Sequence, residues 1–287
     1  MERLTAPKAA NRVSKIVAAY CAAHQVSRFP VDVTRIALEA HHIFGWSDPI
    51  TRIEATSISG FEGCLVPNDD KTAWMILYNA SLRSPGRIRF TQGHELGHYI
   101  LHRLLRNELK CTEADMANWS KDEDDLEGQA DQFASYLLMP LDDYRKHVGG
   151  EANLDVFLSC ADRYGVSLTA AILKWLDYTT EKAVLIYSTD GFMNWASSSE
   201  PAFKAGAFFK TRSRPLPIPA GSLAADDRVR EEKVGARVAA TMWFPHAECD
   251  MHVLEMKFVA ERLGTVISLI KLPADARVWP SRPSDSA

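Results

Sequence analysis

The feature that most constrains this chain is a pair of histidines four residues apart in the segment Gln92-Gly93-His94-Glu95-Leu96-Gly97-His98. On a helix of about 3.6 residues per turn, side chains four residues apart project from the same face. Two neutral imidazoles on one face can both reach a tetrahedral Zn²⁺ ion at roughly 2.0–2.1 Å. Glu95 can then reach a water on that ion without binding the ion itself. The segment predicts a helix with a metal site, with His94 and His98 as ligands and Glu95 as general base.

A catalytic zinc site needs a third protein ligand and one open position. An extended motif with a third histidine would need glycine at 101 and histidine at 104, but both positions hold leucine. The other common arrangement takes a glutamate from a following helix, with a second acid four residues later. Glu127 and Asp131 provide this pair, so we expect Glu127 to bind the metal and Asp131 to hydrogen-bond a histidine ligand. Glu113, Glu123 and Asp124 are alternatives that this reasoning leaves open.

Apolar periodicity and residues typical of helix boundaries outline the first half of the chain. They predict four helices, at residues 7–24, Pro30 to His42, Phe90 to Leu105, and Leu126 to Met139. Three strand-like runs lie between the second and third helices, at Arg52 to Ser57, Cys64 to Pro67, and Trp74 to Asn79. Ser84-Pro85-Gly86 predicts a turn, and the acidic segment that ends at Asp125 predicts a loop.

The strand-like run Trp74 to Asn79 directly precedes the predicted metal helix. It is either an edge strand that receives an extended peptide by β-augmentation or a core strand, and both readings stay open. Its candidate substrate-binding residues are Ile76, Tyr78 and Asn79. His102 lies two turns after His94, which makes it a candidate for contact with a ligand. An oxyanion-stabilising group is not identified, and its candidates are Tyr78, Tyr99 and His102.

Gly149-Gly150 marks a predicted domain boundary, because the sequence pattern changes after it. Residues 153–178 have the pattern of helix, tight turn and helix. Beyond residue 180, runs rich in Val, Ile, Met and Phe predict strands, at Ala183 to Ser188, Ala236 to Phe244, His252 to Ala260, and Thr265 to Leu272. We therefore predict an α+β chain with a metal-site domain at 1–148, a helix-turn-helix-like segment at 149–180, and a mainly β domain at 181–287.

Composition limits the partners and the compartment. The net charge of −4 argues against a strong electrostatic grip on nucleic acid, and the second helix of the 153–178 segment carries only Lys174 as a base, so direct DNA binding is not expected. No run approaches the roughly 20 apolar residues of a membrane span. The five cysteines are scattered and odd in number, as is typical of reduced thiols in the cytoplasm.

Three motifs together resemble the ImmA/IrrE family of metallopeptidases, over roughly residues 30–178. They are Arg87-Ile88-Arg89-Phe90-Thr91, the metal segment continued through Tyr99-Ile100-Leu101-His102, and Glu127-Gly128-Gln129-Ala130-Asp131-Gln132-Phe133-Ala134-Ser135-Tyr136-Leu137-Leu138-Met139-Pro140. The family's peptidase domain is small and gluzincin-like, and a helix-turn-helix-like segment often follows it. Gly93 stands where the family often has alanine, and Asp131 where it often has asparagine; neither change removes a metal-binding group.

The resemblance implies a zinc-dependent endopeptidase, with Mn²⁺ as the alternative metal. Such enzymes cleave a helix-turn-helix transcriptional repressor and so switch on stress, defence or mobile-element genes. In one branch of the family a GAF-like sensor domain occupies the C-terminal position, so a sensor role for 181–287 rests on analogy. The alternative function is a regulator that binds a repressor or DNA without proteolysis and keeps a structural or vestigial metal site. The sequence does not predict the oligomeric state.

Overall fold

The computed structural model describes residues 4–57, 60, 62–82, 84–105, 121–211, 214–260 and 264–280, with only the backbone for 121–125. The chain divides into two compact units. The first consists of Met1–His147 and Cys160–Ser167, and the second of Val148–Ser159 and Leu168–Ala287. Helices and a small sheet mix in the first unit, and a large antiparallel sheet dominates the second. The predicted α+β class with a mainly β C-terminal part is confirmed, while the domain boundaries stay a prediction.

The first two helices are α1 (Ala6–His24) and α2 (Val33–Phe44). α1 begins and ends close to its predicted bounds and buries small residues such as Ala9 and Ala10. The predicted start of α2 at Pro30 is wrong, because Asp32 caps the helix and its side chain accepts a hydrogen bond from the Arg35 amide at 3.0 Å. An aspartate that satisfies an otherwise unpaired helix amide defines the start better than a proline three residues earlier.

The helix that carries His94 and His98, α3 (Pro85–His102), and the next helix, α4 (Lys121–Leu138), both begin five residues before their predicted starts. The segment Ser84-Pro85-Gly86 is a helix start rather than a turn, because Ser84 caps the helix and Pro85 occupies its first position. Proline is favoured there because its missing amide has no partner in any case. The acidic segment before Leu126 is partly helical, since acidic residues favour a first helical turn as readily as a loop.

A three-stranded sheet consists of β1 (Ile50–Thr56), β2 (Gly63–Pro67) and β3 (Trp74–Asn79). Its strand order is β1-β3-β2, with β3 parallel to β1 and antiparallel to β2. The reading of β3 as an edge strand is therefore wrong, because both of its sides are paired. Ile76 at its centre is fully buried, as the core-strand reading predicts.

Helices α3 and α4 approach each other at glycine. A Cβ atom on Gly97 would lie 3.1 Å from the Ala130 Cα and 3.2 Å from the Ala130 carbonyl oxygen. One turn earlier, a Cβ atom on Gly93 would lie 3.3 Å from the Ala134 Cβ. Small residues on both helices let their backbones pack closely, and this contact brings the side chains of two distant segments together.

Three helices follow, α5 (Leu141–Val148), α6 (Leu154–Tyr164) and α7 (Leu168–Leu176). The last two match the predicted helix, turn and helix, and Gly165 takes the left-handed conformation (φ 61°) in the turn. Lys174 is buried, so the one base on α7 is not presented to solvent. Within the described ranges, no single helix is long and apolar enough to span a membrane. Among the described helices, only the pair α6 and α7, which are bent by 110° to each other, passes this test of length and composition together.

The second unit is built on one antiparallel sheet in the order β6-β5-β4-β9-β8-β7. The strands are β4 (Lys182–Thr189), β5 (Phe192–Ser198), β6 (Leu216–Pro217), β7 (Glu231–Ala239), β8 (His252–Ala260) and β9 (Thr265–Leu272). Two short helices, α8 (Glu200–Lys204) and α9 (Ala240–Trp243), and a 3₁₀ helix, Leu223–Ala225, accompany the sheet. The predicted strand Ala236 to Phe244 is wrong in its second half, where the chain turns into α9 and buries Trp243 in the core of this unit.

Candidate active site

Three side chains that could hold a metal ion converge where α3 faces α4. The His94 Nε2 lies 3.0 Å from the Glu127 Oε2, and the His98 Nε2 lies 3.3 Å from the same oxygen. The two Nε2 atoms are 3.0 Å apart. His94 and His98 share one face of α3, as their spacing predicts, and the close packing of the two helices carries Glu127 to them.

These donor atoms fit a tetrahedral metal ion. Ligands bound at roughly 2.0–2.1 Å in a tetrahedron lie about 3.3 Å from one another. The three separations here are 3.0, 3.0 and 3.3 Å. Two imidazoles and one carboxylate also form a ligand set that zinc accepts with one position open. Within the described part of the chain, this is the cluster of His, Cys, Asp and Glu side chains that could hold a metal ion.

The outer ring nitrogens of both histidines have partners. The His94 Nδ1 lies 2.8 Å from the Asp131 Oδ1, and the His98 Nδ1 lies 3.0 Å from the His102 Nδ1. A partner on Nδ1 fixes the orientation of an imidazole and leaves Nε2 directed at the site. Asp131 and His102 therefore lie where the sequence predicted contact with the ligands, and their effect on metal binding stays a prediction.

His94 and Glu127 favour each other's charged forms. Burial lowers the pKa of His94, but hydrogen bonds to Asp131 and Glu127 and the negative charge of Glu95 outweigh burial and raise this pKa to about 10. Burial raises the pKa of Glu127, but hydrogen bonds from both histidines outweigh it and hold this pKa well below its usual range. Without a metal, the Glu127 carboxylate therefore favours the protonated form of His94, and metal binding would displace that proton.

Glu95 is buried beside the sheet and next to Gly63 of β2. A Cβ atom on Gly63 would lie 3.1 Å from the Glu95 Oε1, 2.5 Å from the Thr91 Cγ2 and 3.2 Å from the Leu77 carbonyl oxygen. The strand can approach the helix this closely only because position 63 has no side chain. Gly63 was not among the predicted site residues, although a glycine within a strand is a known sign of close backbone approach.

The free edge of β2 passes along the site. The Asn79 amide donates to the Glu62 carbonyl at 2.8 Å, so Glu62 faces β3. Because every second residue of an antiparallel strand faces its partner, Gly63 and Leu65 direct their N–H and C=O groups to the opposite edge. No strand among the described residues pairs with that edge.

Of the candidate substrate-binding and oxyanion-stabilising residues, the structure places some beside the site and others away from it. Tyr99 donates its hydroxyl to the Asp48 carbonyl at 2.8 Å and is fully buried, so it does not reach the site. Asn79 caps a turn by accepting from the Ser81 amide at 2.9 Å. Tyr78 pairs directly with Gly63, which places its side chain on the sheet face that carries Gly63 and Glu95.

Three other acids are sequence candidates for the third ligand position. Glu113 lies outside the described residues, and so do the side chains of Glu123 and Asp124. Within the described residues, Glu127 is the acid that completes the cluster with His94 and His98.

Gly63→Ala should cost about 1–3 kcal/mol of unfolding free energy, because the new methyl group overpacks against Thr91 and a backbone carbonyl. It should also displace Glu95. Gly128→Ala is the matched control, since a Cβ atom there meets nothing within 4 Å and alanine favours a helix by up to about 1 kcal/mol. Urea denaturation measures both variants, and equal stability of the two would contradict the close approach at Gly63.

The site combines two histidines one helical turn apart, a glutamate from a facing helix and a further glutamate beside the first histidine, which is the pattern typical of a metallopeptidase-type domain. Residues 50–176 match the family model described as the IrrE N-terminal-like domain, a peptidase M78 model. This match over residues 50–176 supports the assignment to the ImmA/IrrE family and confirms the resemblance seen in the motifs.

A comparison with solved structures shows the fold. A structure described as a Mycobacterium tuberculosis transcriptional regulator superposes with a TM-score of 0.50 at 12% sequence identity. The match covers 94% of this chain and 82% of that one. At this identity the likeness shows a shared fold alone. No curated protein sequence matches the chain.

Proposed function

We propose that this protein is a zinc-dependent endopeptidase that cleaves a helix-turn-helix transcriptional repressor and thereby derepresses stress, defence or mobile-element genes. The observation that carries the proposal is the convergence of the His94, His98 and Glu127 donor atoms within 3.0–3.3 Å of one another. The family model supports the peptidase class. The repressor as substrate comes from the family resemblance, and the cytoplasm as the compartment comes from the scattered, odd-numbered cysteines of the sequence.

The chemistry follows from the side chains around the cluster. A bound Zn²⁺ ion, or Mn²⁺ in its place, supplies a Lewis acid that polarises a peptide carbonyl and lowers the pKa of a water. His94, His98 and Glu127 would hold the ion, and Asp131 would keep the His94 Nε2 directed at it. Glu95 would accept the proton that the attacking water loses and deliver it to the leaving amine nitrogen. One peptide bond and one water molecule thus yield a carboxylate and an amine.

The substrate backbone would lie along β2. The free edge of this strand offers the main-chain groups of Gly63 and Leu65 to an extended peptide, which is the hydrogen bonding that β-augmentation requires. Gly63 also lies against Glu95, so a peptide paired at this edge would pass the general base. This assignment replaces β3, whose two sides are both occupied.

Tyr78 is the oxyanion-stabilising candidate that the geometry supports best. Its side chain lies on the sheet face of Gly63 and Glu95, whereas the Tyr99 hydroxyl is committed to Asp48 and His102 contacts His98. A hydroxyl at this position would donate to the carbonyl oxygen as negative charge develops there.

Tyr78→Phe should lower kcat by about 10²- to 10³-fold, the usual cost of one oxyanion donor. KM should change little, since the interaction develops only in the transition state. Steady-state kinetics on a fluorogenic peptide made from the cleaved sequence measures both constants. An unchanged kcat would remove Tyr78 from the mechanism without affecting the metal ligands.

The experiment that tests the function is a cleavage assay with the helix-turn-helix repressor encoded beside the gene for this chain. We expect the wild-type protein to cut the repressor, a chelator to stop the reaction, and added zinc to restore it. Stable binding of the repressor without cleavage, with or without metal, would replace the proposal by a non-proteolytic regulator with a structural or vestigial metal.

A further inference from the structure

The C-terminal unit contains a cavity of about 610 Å³. Its walls come from β4, β8 and β9, from the turn between β4 and β5, and from residues 218–230. Apolar side chains form much of the lining, with Ile218, Ala224, Val259 and Val266 among them. The other lining side chains are polar or charged, and a cavity of this size has the dimensions of a small-molecule site.

A buried lysine lines this cavity. Lys257 on β8 is only 1% exposed, and its Nζ donates to the Asp226 carbonyl at 2.8 Å. An ammonium group carries three donors, and this is the one hydrogen bond that Lys257 makes to the described residues, with no ion pair to a described carboxylate. Burial lowers the pKa of Lys257. The charges of Asp227, Asp226 and Glu255 partly offset burial, but none of these carboxylates accepts a hydrogen bond from the ammonium, which therefore has donors left for a further acceptor.

A buried hydroxyl lies directly beside this lysine. Ser268 on β9 pairs with Lys257 on one side and Ile186 on the other, so its side chain lies on the same sheet face. The next pair on that face, Val266 with Val259, lines the cavity. Ser268 is fully buried, and its Oγ has no hydrogen-bond partner among the residues that the structure describes.

Glu255, an acid on the same sheet face, does not accept a hydrogen bond from Lys257. The Glu255 Oε1 accepts from the Ala224 amide at 2.8 Å, and its Oε2 accepts from the Trp243 Nε1 at 3.0 Å. Both of its oxygens therefore hold the 3₁₀ helix and α9 on the sheet. The missing acceptor for Lys257 must come from something other than this carboxylate.

We propose that this cavity binds a small organic carboxylate, with its oxygens on the Lys257 ammonium and the Ser268 hydroxyl and its body against the apolar walls. Asp190 and Asp227 in the lining offset the charges of Lys257 and Arg230, so a ligand with one negative charge fits the site better than a ligand with two. A doubly charged phosphate would meet repulsion from both acids. This proposal does not depend on the proposed peptidase activity, because every residue that lines the cavity belongs to the second unit.

Isothermal titration calorimetry and thermal melting of the full-length protein test this site. The probes are acetate, pyruvate, benzoate and L-leucine, each against inorganic phosphate. We expect at least one carboxylate to bind and to raise the melting temperature with concentration. Lys257→Met should weaken that binding at least about tenfold. Lys182→Met is the matched control, a lysine of the same sheet whose Nζ donates to the Ala276 carbonyl and which does not line the cavity.

Ser268→Ala keeps the test decisive if Lys257→Met does not fold. Because this hydroxyl has no partner to lose, the melting temperature without ligand should stay equal or rise, while carboxylate binding should weaken. Glu95→Gln should bind the carboxylate as the wild type does, which separates this site from the peptidase site. Binding by none of the four carboxylates, binding of phosphate instead, or equal affinity in Lys257→Met and wild type would each overturn the proposal.

Discussion

Glu95→Gln should lower the rate of repressor cleavage by about 10²- to 10⁴-fold, the usual contribution of a positioned general base. An amide cannot accept the proton that the attacking water loses, nor return one to the leaving amine. The replacement has nearly the same shape, so the contact with Gly63 should persist. Single-turnover cleavage kinetics measure the rate, and elemental analysis of the purified variant measures its metal content, which we expect to be unchanged.

Glu54→Gln is the control for this variant, because Glu54 is an exposed residue of β1 that pairs with Arg52 on the surface. It should cleave at the wild-type rate. If Glu95→Gln cleaved the repressor as fast as Glu54→Gln does, Glu95 would not be the base, and the mechanism would need another proton acceptor.

Glu127→Ala should abolish metal binding and cleavage together, since it leaves two histidines where three ligands converged. The second expected effect is on stability. A metal present at roughly 1,000 times its dissociation constant contributes about 4 kcal/mol to the folded state. The wild-type melting temperature should therefore fall on addition of a chelator, and that of Glu127→Ala should not respond.

Gln132→Ala on the exposed side of the same helix controls for changes in α4 itself. It should bind zinc, cleave the repressor and respond to the chelator like the wild type. Stoichiometric zinc in Glu127→Ala, measured by elemental analysis, would show that another acid completes the site, and Glu113, Glu123 and Asp124 would return as candidates.

The local part of the site could be predicted from the sequence, because its geometry is that of a helix. The spacing of His94 and His98 alone places both rings on one face. Glu127 follows His98 by 29 residues, and only the packing of Gly97 against Ala130 brings it within reach. That contact depends on tertiary structure, so the sequence suggested the ligand by analogy of motif rather than by spacing.

The errors in the fold have local causes. Ser84-Pro85-Gly86 suits both a turn and a helix start, and the hydrogen bonds that decide between them involve later residues. Strand β5 was not predicted, because Phe192–Ser198 ends in small polar residues with weak strand preference. The Asp190-Gly191 pair that precedes it is a strong hairpin signal and could have revealed it. The central place of β3 is a matter of sheet order, which no single segment encodes.

The free edge of β2 has a consequence for selectivity. The strand is five residues long and ends at Pro67, which has no amide hydrogen, so Gly63 and Leu65 supply the N–H donors along that edge. Two such bonds contribute only about 1–3 kcal/mol in water, which is too little to pull a peptide out of a folded domain. Main-chain pairing would therefore align a segment that is already extended, and discrimination among such segments must come from surfaces outside this strand.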